Sequence, residues 1–186
     1  MSHNPNPETP RRKQIRLRGY DYSQPGRYFV TVCALEKTCI FGEIHDGYFD
    51  PSPVGNIVRE CWFELPYHYA GLYLDEFIVM PNHVHGVMIF IDPVGVGLKG
   101  HVNASRRRSV LEVVRAFKTF SGRRINEMRG VSGCAVWQRG YYEHIVRTDK
   151  ALDEIRKYIR NNPLNWEKDP ERSVSAVRGR VSNPPS

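Results

Sequence analysis

An apolar run in mid-chain ends in Met80-Pro81-Asn82-His83-Val84-His85-Gly86 and resumes through Val87-Met88-Ile89-Phe90-Ile91. Leu72 to Val79 and His83 to Ile91 read as two adjacent strands punctuated by Pro81-Asn82. Side chains alternate along a strand, so His83 and His85 share one face, about 7 Å apart, while Val84 points to the other. Two imidazoles on one face can grip a divalent ion. Two polar residues on the solvated side of a half-buried strand would leave the same letters, so the pair takes its meaning from the rest of the chain.

Further on, Thr148 to Pro163 reads as a short amphipathic helix. Thr148 caps it, Asp149 sits in its first turn, Leu152, Ile155 and Ile159 form its apolar stripe, and Pro163 ends it. Tyr158 and Asn162 are four apart and share a face, which can bring an amide oxygen to a metal site with a phenol beside it. A tyrosine that only packs is the competing reading.

Upstream, Tyr28 to Leu35 alternates as a strand, Ile40 to Ile44 and Tyr48 to Phe49 flank His45-Asp46-Gly47 as a hairpin, and Val54 to Leu65 has helical spacing. Residues 92 to 108 form a Gly-rich loop that turns basic at Arg106-Arg107-Arg108. Ser109 and Glu112 then fit a capping box, and Val110, Val113, Val114, Phe117 and Phe120 make the buried stripe of a long helix. Val136 to Val146 reads as a last strand before the tyrosine helix. The order implies an α+β domain, an antiparallel sheet with helices packed mainly on one face.

The chain has 186 residues, 40% of them hydrophobic, enough for one domain of about 150 residues with ragged ends. The expected layout is a basic disordered arm over 1–19, a domain over 20–168 and a flexible tail over 169–186. No stretch approaches the roughly 18 to 20 apolar residues that span a bilayer, and no signal-peptide layout is present, so the expected setting is cytoplasmic, near the nucleoid, with no membrane partner. Cys33, Cys39, Cys61 and Cys134 lack Cys-x-x-Cys spacing and read as free thiols. The net charge of +7 is uneven: residues 21–104 hold 4 Lys/Arg against 10 Asp/Glu, and residues 105–129 hold 8 against 2. Basic character thus gathers in the tails and the long helix, as expected where a chain tracks a phosphate backbone. No nucleotide loop, dinucleotide fingerprint or Gly-x-Ser-x-Gly elbow appears, which sets aside the commonest nucleotide-cofactor and serine-hydrolase readings.

Several motifs in order resemble the HUH single-tyrosine transposases, and most closely the REP-associated tyrosine transposases of the IS200-like group. They are Tyr28-Phe29-Val30-Thr31-Val32, Pro81-Asn82-His83-Val84-His85-Gly86, Val114-Arg115-Ala116-Phe117-Lys118, Trp137 to Arg147 and Tyr158-Ile159-Arg160-Asn161-Asn162-Pro163. The resemblance spans residues 20 to 168. It implies a ferredoxin-like or RRM-like sheet and an endonuclease and strand transferase on single-stranded or hairpin DNA. His83 and His85 would be the metal pair, Asn162 the third ligand and Tyr158 the nucleophile that forms a 5′-phosphotyrosine. Both monomeric and homodimeric arrangements are compatible with it.

Two imidazoles, an amide oxygen and open positions suit Mg²⁺ or Mn²⁺ as a Lewis acid. A phenol with a pKa near 10 is only about a thousandth ionised at pH 7, so a metal or a cation must help it, and Lys157 and Arg160 point away by helical geometry. Arg106, Arg107, Arg108, Arg115, Lys118, Arg139 and His144 are the candidate DNA contacts, with Trp137, Tyr141 and Tyr142 available to stack on bases or to pack. Two other readings compete: a non-catalytic nucleic-acid-binding or regulatory protein on the same fold, and a zinc hydrolase using the histidine pair with His144 or a cysteine.

Overall fold

The computed structural model describes residues 24–91 and 109–172. In chain order it forms β1 (Gly26–Cys33), the β2 (Gly42–His45) and β3 (Tyr48–Pro51) hairpin, α1 (Pro53–Phe63), a one-turn α2 (Leu65–His68), β4 (Leu72–Val79) and β5 (His83–Phe90). Then come α3 (Val110–Met128), β6 (Tyr142–Val146), α4 (Asp149–Asn161) and a 3₁₀ segment, Pro163–Lys168. β1, β4, β5 and β6 make one antiparallel sheet in the order β4-β5-β1-β6. With α1 and α3 as crossovers this is the βαββαβ ferredoxin-like arrangement.

The central strands explain the unbroken apolar run. β5 is buried on both faces along nearly its whole length, so it cannot alternate apolar with polar. One face carries Tyr28, Val30, Val32, Val84 and Met88, packed under Trp62 of α1 and Val113, Val114 and Phe117 of α3. The Trp62 ring stacks on Phe77 at 4.5 Å and meets Phe117 edge-on at 5.4 Å. Gly86 is part of this packing: a Cβ there would lie 2.3 Å from the Trp62 ring, so the indole reaches the strand only because residue 86 has no side chain.

α4 lies on the other face, over Phe29, Val87 and Val146, with Leu152 and Ile159 pointing down. The expected caps form: Ser109 and Glu112 make the capping box of α3, and the Thr148 side chain accepts from the Ala151 N–H at the start of α4. The last strand is shorter than expected. Of Val136 to Val146 only Tyr142–Val146 pairs with β1, apart from an isolated bridge between Ala34 and Trp137. The reason is Lys118, whose ammonium donates to the carbonyls of Gln138, Arg139 and Gly140 and draws that backbone into a turn around itself. Trp137 meanwhile turns into the core and donates to Ser121 Oγ. The expected arm over 1–19, the Gly-rich loop and most of the expected tail lie outside the described residues.

Candidate active site

Thr31, Cys33, His83 and His85 sit on the α4 face of the two central strands, since Thr31 pairs with His85 and Cys33 with His83. Both imidazoles are buried, and their Nε2 atoms face each other at 2.9 Å. Asn82 sets the tautomer of His83. Its Nδ2 donates to the carbonyls of Lys37 and Glu171, which leaves Oδ1 to accept from His83 Nδ1 at 2.7 Å and puts the His83 Nε2 lone pair toward His85. His85 Nδ1 contacts Thr31 Oγ1 at 2.9 Å, and Phe29 stacks on its ring. Burial lowers both imidazoles to about 3, reinforced at His83 by the Lys37 charge and at His85 by His83. Both are therefore neutral near pH 7, the form that ligates a cation.

The tyrosine helix closes on this pair within the same chain. Tyr158 Oη lies 3.2 Å from His85 Nε2, and the phenol ring stands edge-on to His85 and Phe29. The phenol pKa is raised, first by burial and then by the nearby Asp169 carboxylate, while a hydrogen bond from Asn162 pulls it back. Asn162, the C-cap of α4, is buried, and its Oδ1 has no hydrogen-bond partner among the described residues.

A residue that sequence reasoning left in the tail completes the group. The 3₁₀ segment after Asn162 returns the chain over the histidines and sets Asp169 Oδ2 3.8 Å from His83 Nε2. That carboxylate is buried, and its Oδ2 also lacks a hydrogen-bond partner. Ligand atoms of His83, His85 and Asp169 all lie within 4.8 Å of one another. Glu171 pins this strap: it pairs with Lys37 at 3.0 Å and accepts from Cys33 Sγ at 3.2 Å. Burial and the Glu171 charge push the Cys33 thiol up to about 12, so it is a proton donor to the strap. The only sign of the strap in the sequence is Trp166, an aromatic ring in a polar stretch that comes to rest 6.1 Å from the His83 ring.

These residues fit a divalent ion. Two neutral imidazoles and one carboxylate converge, and the buried Asp169 oxygen without a partner is costly unless something takes its lone pair. Asp169, rather than His144 or a cysteine, is the third member of the cluster, against the ligand set of the zinc-hydrolase reading.

The expected DNA contacts divide. Arg106, Arg107 and Arg108 lie outside the described residues. His144 is exposed on β6 opposite Phe29, on the site face. Arg115 and Arg139 are exposed and border a groove of about 540 Å³ between α3 and residues 133–139, whose lining includes Arg123 and no carboxylate. Lys118 corrects the expectation for a free phosphate contact, because the carbonyls of the 138–140 turn already take its protons.

Comparison with known proteins agrees with this geometry. The family model described as "Transposase IS200 like" matches residues 99–162, the part that includes Tyr158 and Asn162. A Haemophilus influenzae protein, described only as uncharacterized, is 36% identical over 173 residues, covering 85% of this chain and 91% of its own. Among solved structures, a REP-associated tyrosine transposase bound to a REP hairpin has a similar fold, with a TM-score of 0.56 at 16% identity over 81% of this chain and 73% of the other. Over residues 99–162 the chain thus matches the IS200-like transposase family, and its fold is similar to that of a REP-associated tyrosine transposase.

Proposed function

We propose that this protein is an IS200-like transposase, a metal-dependent endonuclease and strand transferase that cuts and rejoins single-stranded, hairpin-bearing DNA of the REP type through a 5′-phosphotyrosine. The observation that carries the reading is the position of Tyr158 Oη, 3.2 Å from His85 Nε2 at the edge of the His83, His85 and Asp169 cluster. A structural neighbour bound to a REP hairpin supports the substrate class.

His83, His85 and Asp169 would hold the ion, with the Asn162 amide oxygen beside them. Bound there, Mg²⁺ or Mn²⁺ supplies Lewis-acid stabilisation of charge on the non-bridging phosphate oxygens. Tyr158 is the nucleophile. Its phenolate oxygen forms a bond to phosphorus, the bond to the 3′ oxygen breaks, and that oxygen leaves as a 3′-hydroxyl after taking up a proton. The charge of the ion would favour the phenolate, whose proton passes to solvent, and the Asn162 hydrogen bond favours the same form. Because the phosphotyrosyl ester keeps the energy of the original bond, another 3′-hydroxyl can reverse the step and join a new strand without ATP. Asn82 and Thr31 hold the imidazoles, and the Glu171 strap holds Asp169.

The test is incubation of the protein with 5′- and 3′-labelled hairpin oligonucleotides and Mn²⁺ or Mg²⁺. The expected product is a covalent adduct carrying the DNA 3′ of the cut, mapped to Tyr158 by peptide mass and absent with chelator. An adduct on Tyr141 or Tyr142, or cleavage without any adduct, would refute the assignment.

A further inference from the structure

α4 meets the sheet along three stripes. Leu152, Ile155 and Ile159 face the small core, Tyr158 and Asn162 flank them on the histidine side, and Arg156 and Arg160 flank them over β4. The aliphatic stripe alone fixes the roll of the helix poorly, because dispersion contacts are weak and without direction. The other flank is directional. Arg156 grips Asp75 with a two-pronged fork, Nε to Oδ1 at 2.8 Å and Nη2 to Oδ2 at 2.6 Å, while Arg160 Nε donates to Glu76 Oε1 at 2.8 Å.

Asp75 and Glu76 are neighbours in a strand and would ordinarily point to opposite faces. Here the pairing of β4 with β5 shifts register between Leu74 and Phe77, and both carboxylates reach the same helix. Such an irregularity re-aims side chains. The Asp75 carboxyl is held below the usual carboxylate range, chiefly by its bond from Arg156, as expected of a persistent pair. Arg156 and Arg160 bracket Tyr158 in sequence but occupy the opposite flank, so the grip acts like a hinge pin: rolling α4 away from β4 moves the phenol over the histidines.

We infer that the Asp75–Arg156 and Glu76–Arg160 pairs are positioning residues for the transfer reaction, setting the roll of α4 and thereby the distance of Tyr158 Oη from the scissile phosphate. The consequence for cleavage rests on the function proposed above, whereas the geometric claim does not. A nucleophile misplaced by about 1 Å can lose on the order of 100-fold in rate.

The experiment uses the full chain with Asp75→Asn and Glu76→Gln together, alongside the charge-swapped Asp75→Arg with Arg156→Asp. Ring-to-ring NOEs from Tyr158 to Phe29 and His85, whose centroids stand 6.1 and 5.2 Å away, report the roll without DNA. In the neutralised variant those NOEs should weaken while the core resonances of Trp62 and Phe117 stay in place. Single-turnover adduct formation should then fall about 100-fold with Kd for the oligonucleotide unchanged, and the swapped pair should recover at least about tenfold of that loss. Unchanged NOEs would overturn the inference, as would a rate that falls only in step with Kd or stays put when the NOEs are lost. If the parent protein forms no adduct at all, the proposed function fails and the NOEs alone decide whether the acidic pair sets the roll.

Discussion

Between the sheet and α1 with α3 lie Trp62, Phe117, Tyr28, Met88 and more than a dozen other buried apolar residues; between the sheet and α4 the buried apolar residues among those described are Phe29, Val87, Val146, Leu152 and Ile159, with Ile78, Ile89, Ala151 and Ile155 partly buried against them. Each large side chain fully buried on the first face contributes about 1.5–3 kcal/mol, so that face carries most of the stability. The second face spends its area on His83, His85, Asn162 and Asp169, buried polar groups that cost stability unless satisfied. One side of the sheet can therefore be read as scaffold and the other as site, held together by directional bonds more than by apolar bulk.

The sharpest way to break this contrast is a paired substitution. Tyr158→Phe should abolish the DNA adduct while moving the melting temperature by no more than a degree or two, because the ring and its packing remain. Phe117→Ala should do the reverse, costing about 3–5 kcal/mol in chemical denaturation while leaving adduct chemistry intact in the folded fraction. Equal losses of stability in both would erase the division.

Acid should attack the site face selectively. Burial holds both imidazoles near 3 in the fold, whereas an unfolded chain protonates them around 6.5. The unfolded state thus binds protons first as pH falls: stability is complete above about 6.5 and lost progressively between there and about 3. From pH 7 to pH 5 the loss should be about 2 kcal/mol for each ring in the absence of divalent ions. Urea unfolding at the two pH values measures it, and His83→Gln with His85→Gln should flatten the dependence; a slope retained in that variant would locate the sensitive groups elsewhere.

A smaller effect separates the members of the site. Asn162→Ala leaves His83, His85 and Asp169 in place, so adduct formation should drop about tenfold and recover with added Mn²⁺. Asp169→Asn should weaken Mn²⁺ binding, read by calorimetry, more than Asn162→Ala does. The reverse ranking would restore the amide as the principal third ligand. Smallest of all, Arg115→Ala or Arg139→Ala should each lower the salt dependence of DNA binding by about one unit of slope if its guanidinium meets a phosphate.

How much of this could be read from the letters follows from range. The histidine pair, the capped tyrosine helix and the two central strands rest on local periodicity, and local periodicity survived folding. The overlong last strand failed because Lys118, twenty residues away, competes for its carbonyls. The same long reach turned an apparent DNA contact into a scaffold residue. Asp169 was illegible for a different reason. One acid between Lys168 and Pro170 has no period, and its role exists only once the 3₁₀ segment has folded back over His83. Nothing in the letters singles out Asp75 and Glu76, because a shift in strand register leaves no signature in one sequence.

The contact between Gly86 and Trp62 gives the two faces a common mechanical part. The indole bears on the back of the strand whose front presents His83 and His85, so the height of the ligand pair above the sheet is indexed by an aromatic ring that never meets the substrate. Enlarging residue 86 by a single methyl would press the strand outward from behind and detune the proposed ion site with every proposed ligand still present. Selection on the chemistry should therefore reach through the sheet and act on the opposite core.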